Sequence, residues 1–172
     1  YSGQQRHGSI VWSGDIGSDW DAFRRQIVAG LNCCASGIPY WTTDIGGFFR
    51  PENQYDDPAY HELLLRWFQF GAFCPIFRIH GFGSKTEVWR YGEHFEAGAR
   101  RMLDLRYRLL PYLYACAWLT TAKGFTLMRP MMMDFAHDPA ALAARHQFLF
   151  GPSILVAPVT EPGAATLRGH LP

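Results

Sequence analysis

Gly37-Ile38-Pro39-Tyr40-Trp41-Thr42-Thr43-Asp44-Ile45-Gly46-Gly47-Phe48 is the stretch on which the fold of this chain turns. A β-prone run from Ile38 to Thr42 gives way to a carboxylate and then a glycine pair, so it reads as a strand ending in a loop. The same order occurs on either side. Upstream, Ser9-Ile10-Val11-Trp12 reads as a short strand ended by Ser13-Gly14-Asp15; downstream, Phe73 to Arg78 reads as a third, ended by Ile79-His80-Gly81. Helical patterns separate them. One runs from about Asp19 to Leu31, with Ser18 as the expected N-cap and Asp21 as its capping-box partner. The other puts Tyr60, Leu63, Leu64, Trp67 and Phe68 on one face.

Strand–helix units with short connections imply parallel strands joined by right-handed crossovers. An open doubly wound sheet and a (β/α)8 barrel both satisfy that rule. Three consecutive strand ends carrying Asp15, Asp44 and His80 favour the barrel, whose strands converge their carboxyl ends on one active-site face. Next, a helical stripe of Phe95, Ala99, Met102, Leu103, Leu109, Leu110 and Leu113 runs to about Ala122, and Pro111 inside it should kink or split the helix. Past Gly124 the texture changes to strand-like runs, Leu127 to Met133, Gln147 to Phe150 and Ser153 to Val159, with at most a helical turn near Ala140 to Ala144. The expected fold class is α/β. The C-terminal part of a (β/α)8 TIM barrel spans residues 1–124, and the start of an all-β sandwich domain spans 125–172. A chain that opens at Tyr1 in a Gly/Ser/Gln loop and stops at Pro172 within a β region reads as a fragment of a longer protein.

Composition narrows the classes. The chain is 48% hydrophobic and 18% charged, which excludes disorder. A net charge of +1 points to neither nucleic acid nor an anionic membrane, and no apolar run is long enough to span a bilayer. The basic cluster Arg100, Arg101, Arg106 and Arg108 has helical spacing and reads as a solvated face. Cys33, Cys34, Cys74 and Cys116 lack metal or redox spacing and read as small buried apolar side chains. They leave the compartment open, bacterial cytoplasm and periplasm alike. His-Glu-x-x-His, phosphate-loop and Gly-x-Ser-x-Gly patterns do not occur, so metal, nucleotide and serine-hydrolase chemistry find no motif.

Each strand-end group has a bland and a chemical reading. Asp15 could be a turn or cap residue; with Ser18 available for capping it is free for proton transfer, and an apolar wall such as Trp12 would favour the neutral acid that a proton donor needs. Asp44 could start an Asx-turn, or could accept hydrogen bonds from sugar hydroxyls between the aromatic walls Trp41 and Phe48. His80 could be a satisfied core histidine, or with Arg78 a donor into a polar pocket.

Taken together, Ser9-Ile10-Val11-Trp12-Ser13-Gly14-Asp15-Ile16, the Gly37–Phe48 string and Phe77-Arg78-Ile79-His80-Gly81 resemble glycoside hydrolase family 31, which includes α-glucosidases and α-xylosidases. Leu110-Pro111-Tyr112-Leu113-Tyr114 and Gly151-Pro152-Ser153-Ile154-Leu155-Val156-Ala157-Pro158-Val159 are similar to that family's later barrel helix and first C-terminal β domain, so the resemblance covers nearly the whole chain. It implies a retaining double displacement with Asp15 as acid/base. It also implies a subsite for the cleaved sugar lined by Trp12, Asp44, Phe48 and His80 and supported by Trp41 and Arg78. The family's nucleophilic Asp would lie upstream, with no counterpart in this chain. The resemblance implies no metal or organic cofactor; the partner it implies is an oligosaccharide, and the oligomeric state of the full-length protein stays open, a homo-oligomer included. The Trp-Thr-Thr-Asp-Ile-Gly-Gly-Phe and Arg-Ile-His-Gly strings look closer to bacterial α-xylosidases than to lysosomal-type α-glucosidases. An α-glucosidase or transglycosylase of the same family, and a noncatalytic carbohydrate-binding protein on the same fold, are the competing expectations. The chain by itself is expected to be inactive and poorly folded.

Overall fold

The computed structural model describes residues 3–172; Tyr1 and Ser2, where the opening loop was read, lie outside the described residues. In place of the rest of that loop, Gln4–His7 form one 3-10 turn. There follow β1 (Val11–Trp12), α1 (Trp20–Ala35), β2 (Trp41–Thr42) and α2 (Pro58–Gly71). β1 and β2 pair in parallel, Val11 opposite Trp41 and Trp12 opposite Thr42. Parallel contacts extend past the strands, Gly17 bridging Phe49 and Ile45 bridging Ile79.

The third expected strand, Phe73 to Arg78, does not form one. Phe73 and Cys74 donate their N–H groups to Phe70 and Gly71 in the turn that unwinds α2, and Pro75 has no N–H to offer a ladder. The segment beyond still lies beside the second strand, through Ile76 N–H to the Trp41 carbonyl (3.3 Å) and the Ile45–Ile79 bridge. The three chain segments therefore lie side by side in sequence order, with their carboxyl ends on one side.

α1 starts one residue later than the capping-box reading placed it. Asp19 is the N-cap, its carboxylate accepting from Ala22 N–H at 2.6 Å, while the Ser18 hydroxyl donates to the Phe49 carbonyl at 2.8 Å. The helix buries Ala22, Phe23, Ile27, Leu31 and Cys34. Gly30 lies in its interior, where glycine ordinarily costs about 1 kcal/mol against alanine. The reason is the Trp41 ring: a Cβ on Gly30 would sit 2.6 Å from it. Gly30→Ala should therefore lower stability by about 1–3 kcal/mol in spite of the gain in helix propensity, because a buried indole has little room to step aside. A denaturant midpoint that stayed put or rose would show that it does.

The long helical stripe is split as its proline requires. α3 (Gly92–Arg108) and α4 (Leu110–Lys123) meet at Leu109, since Pro111 cannot donate to the Tyr107 carbonyl. Gly124 closes α4 in the left-handed conformation, at φ 66°. Arg100, Arg101 and Arg108 are exposed as expected, but Arg106 is not part of a solvated face. Its guanidinium donates to the carbonyls of Ala72 (2.8 Å), Cys74 (2.8 Å) and Pro75 (2.9 Å), acceptors left open where α2 unwinds, and burial lowers its pKa.

β3 (Met128–Pro130), α5 (Pro139–Ala143), β4 (Phe148–Phe150) and β5 (Ile154–Val156) complete the chain, the strands forming an antiparallel sheet in that order. β3 is shorter than the Leu127-to-Met133 expectation, because Met131–Met133 coil into a 3-10 turn after Pro130. One core runs through both regions: Phe148 meets Phe70 edge-on at 6.1 Å and Phe150 meets Phe73 at 5.6 Å. The segment after β5 returns over the first two helices. Arg24 donates to the Thr160 carbonyl (2.9 Å), Glu62 accepts from Gly163 N–H (2.8 Å) and Arg66 donates to the Ala164 carbonyl (3.1 Å). All four cysteines are free; Cys34, Cys74 and Cys116 are buried, and burial pushes the Cys34 thiol up to about 12. Among the described residues no helix is long and apolar enough to cross a membrane.

Candidate active site

Parallel pairing carries Asp15, Asp44 and His80 to the same end of the three segments. Asp15 leaves β1 through Gly14, whose φ of 82° turns the chain outward. It is exposed, and with Asp19 capping α1 it has no structural duty there. Trp12, the apolar wall expected beside it, is itself 55% exposed.

Asp44 is the opposite case, with no exposed surface. Its Oδ1 accepts from Arg78 Nη2, whereas its Oδ2 and the Arg78 Nε are buried without partners among the described residues. The Asx-turn reading fails: the Asp44 backbone carbonyl, not its side chain, accepts from Gly47 N–H at 2.8 Å. A buried carboxylate held by one arginine with one oxygen left over is a strong acceptor waiting for a donor. The Arg78 side chain is 38% exposed, so the pair lies at the floor of an open region.

Gly46 and Gly47 both take positive φ (86° and 85°), and neither has room for a side chain. A Cβ on Gly47 would lie 2.2 Å from Ser18 Oγ, and one on Gly46 would lie 2.4 Å from Leu64. The loop is thereby pressed onto both the turn that precedes α1 and α2 itself. Phe48 then projects to the rim, 5.7 Å from the His80 ring. His80 is exposed and is not a core histidine. Trp41 is corrected in the other direction: at 2% exposure it packs on Gly30 and cannot form a wall for a sugar, so only a supporting role is left to it.

Several residues of this region went unread in the sequence. Phe49 and Phe82, both exposed, join Phe48 in one aromatic cluster with centroids 4.9 to 6.4 Å apart. Ser13 donates to Thr43 Oγ1 (3.3 Å), which donates to Gln26 Oε1 (3.1 Å), linking the first two strand ends. Arg50 donates to the carbonyls of Gly47, Ile45 and His80 and to the Tyr91 hydroxyl. Tyr60 donates to the Gly46 carbonyl at 3.1 Å. Burial pushes both tyrosine hydroxyls up, so they stay protonated donors. None of these contacts has a spacing signal; the Phe48-Phe49 doublet is the only hint that the sequence offered.

A cavity of about 840 Å³ between α2 and α3, lined by residues such as His61, Glu62, Arg66 and His94, includes Tyr91 in its lining but none of Asp15, Asp44, Arg78 or His80. Among the described residues no cluster of three or more His, Cys, Asp or Glu side chains is placed to hold a metal ion.

The architecture matches that of known proteins. Residues 1–116 match the glycosyl hydrolases family 31 TIM-barrel domain, and residues 124–172 match the glycosyl hydrolase family 31 C-terminal domain. An alpha-xylosidase of Saccharolobus solfataricus is 48% identical over the whole chain, which covers 23% of that protein. The neutral alpha-glucosidase AB of Mus musculus is 34% identical over the whole chain, covering 18% of it. The crystal structure of a GH31 alpha-xylosidase from Xanthomonas citri superposes with a TM-score of 0.93 at 47% identity, over the whole chain and 20% of that structure. The chain thus spans about a fifth of the length of these relatives. Its β1-to-α4 region is the C-terminal part of a (β/α)8 barrel, and its β3-to-β5 region is the start of the β domain that follows. The chain belongs to glycosyl hydrolase family 31.

Proposed function

We propose that this chain supplies the acid/base and most of the sugar-contacting half of a retaining α-glycoside hydrolase that releases terminal α-xylosyl residues from oligosaccharides. The observation that carries the reading is the joint placement of an unencumbered Asp15, a buried Asp44–Arg78 pair with a free acceptor, and an exposed His80 at one end of parallel segments. Asp15 is the proton donor to the leaving glycosidic oxygen and then the base for the attacking water. Asp44 accepts from sugar hydroxyls, oriented by Arg78, while Phe48, Trp12 and His80 border the ring. Asp44 is not the nucleophile, because its carboxylate is buried and already engaged by an arginine. A second carboxylate, roughly 5 Å from Asp15 in a retaining enzyme, comes from outside these residues. Residues 1–124 form the barrel part and 125–172 the β part, with Gly124 as the hinge of composition between them.

The xylosyl preference draws on the two α-xylosidases named above, which stand near half identity, against about one third for the α-glucosidase. In the full-length protein, an aryl α-xyloside is expected to turn over with a higher kcat/KM than the matching aryl α-glucoside, and the first-formed sugar should be the α anomer by NMR. Dominant glucoside turnover would move the assignment to α-glucosidase. A first-formed β anomer would remove the retaining mechanism. Loss of neither sugar bond would leave a carbohydrate-binding protein.

A further inference from the structure

We propose that Arg50 is a positioning residue for the glycosyl pocket. It fixes the loop that presents Asp44 and Phe48 against the strand end that presents His80. This inference rests on the reading of those three residues as sugar contacts.

Its guanidinium is held from three sides. Nη2 donates to the Ile45 carbonyl at 2.7 Å and to the His80 carbonyl at 2.9 Å, Nε donates to the Gly47 carbonyl at 3.1 Å, and Nη1 donates to the Tyr91 hydroxyl at 2.7 Å. Two of these acceptors belong to the loop after β2, one to the third segment and one to the turn that opens α3. Gly81 lets the group lie flat on the backbone, since a Cβ there would come within 2.6 Å of Nε. Tyr91 is itself anchored, its hydroxyl donating to the Lys85 carbonyl at 2.8 Å.

The clamp has work to do because the backbone between the two strand ends is thinly paired. Besides the Ile45–Ile79 bridge, the second and third segments share Ile76 N–H to Trp41 and Phe82 N–H to Phe48. The loop also carries two consecutive positive-φ glycines, which leave it few intrinsic restraints. A planar fork with charge-assisted bonds to three carbonyls supplies the missing restraint, and its partners among the described residues are all neutral, so there its charge is not committed to an ion pair. Lysine has neither the fork nor the fixed angles to replace it.

In the full-length protein, Arg50→Gln is expected to lower kcat/KM on an aryl α-xyloside by about 10²-fold, the scale of an ångström-sized misplacement of binding groups. The loss should be equal for activated and poor leaving groups, because Asp15 lies on a different strand end and keeps its geometry. Arg50→Lys should recover only a minor part, and Tyr91→Phe, which removes one of the four anchors, should show a smaller loss of the same kind. These two carry the test if Arg50→Gln fails to fold. Wild-type kcat/KM per folded molecule, with only a lowered melting midpoint, would overturn the inference and leave Arg50 as a stabilising residue. A loss confined to poor leaving groups would overturn it too, by placing Arg50 in the proton-transfer machinery. An unsubstituted protein without glycosidase activity would instead overturn the functional reading, and this inference with it.

Discussion

Asp15→Ala in the full-length protein should reduce hydrolysis of unactivated α-xylosides by about 10²–10⁴-fold, the usual worth of general acid–base catalysis. Activated aryl glycosides should lose much less, because a leaving group that departs as a stable anion needs no proton in the first step. For those substrates the second step becomes limiting, and a small anionic nucleophile such as azide should restore turnover by replacing the water that Asp15 would have deprotonated. The structure makes this a clean substitution. Asp15 is exposed, caps nothing and makes no ion pair among the described residues, so its loss leaves packing intact. Equal losses on good and poor leaving groups would show that Asp15 does not act as the acid.

Arg78→Met should damage stability and activity together. It leaves the carboxylate of Asp44 buried with neither oxygen partnered among the described residues, and stranding one member of such a pair costs about 3 kcal/mol, the low end for buried pairs because the guanidinium is partly in water. Denaturant midpoints of Arg78→Met, Asp44→Asn and the double variant form a cycle that checks it. The double variant should be more stable than the sum of the two losses predicts, since neutral Asn no longer needs the cation. Strict additivity would mean that the two side chains do not depend on each other. Substrate affinity is a second readout: each single variant should raise KM, because both disturb the acceptor offered to sugar hydroxyls.

What could be read from the sequence, and what could not, follows from the range of each signal. The first two strand–helix units and the split at Pro111 are local effects of side-chain periodicity and a missing N–H, and both appear as expected. The third strand does not form because an apolar run such as Ala72-Phe73-Cys74 serves a turn as well as a strand; only the carbonyls captured by Arg106 from another helix decide between them. The cap of α1 moved from Ser18 to Asp19 because Ser18 had a better acceptor in Phe49, a residue thirty-one positions away. That Asp15, Asp44 and His80 share one end of the segments could be read because the strands of a barrel all point their carboxyl ends to one face. Arg50 and the Ser13–Thr43–Gln26 relay could not, since their partners are backbone or hydroxyl groups without sequence spacing. Trp41 was read as a wall because aromatic residues suit sugars and cores alike, and only Gly30 beneath it reveals which use holds here.

The return of the last segment over α1 and α2 bears on how the protein is made. Arg24 and Thr160 stand 136 positions apart, Glu62 and Gly163 stand 101 apart, and Arg66 and Ala164 stand 98 apart. Synthesis at about 5–20 residues per second leaves the first two helices without these partners for on the order of ten seconds. For that interval their apolar faces depend on other cover, and these loop closures wait until the segment around Thr160 has been made. A nascent chain stalled before Thr160 should therefore be the species most in need of a chaperone.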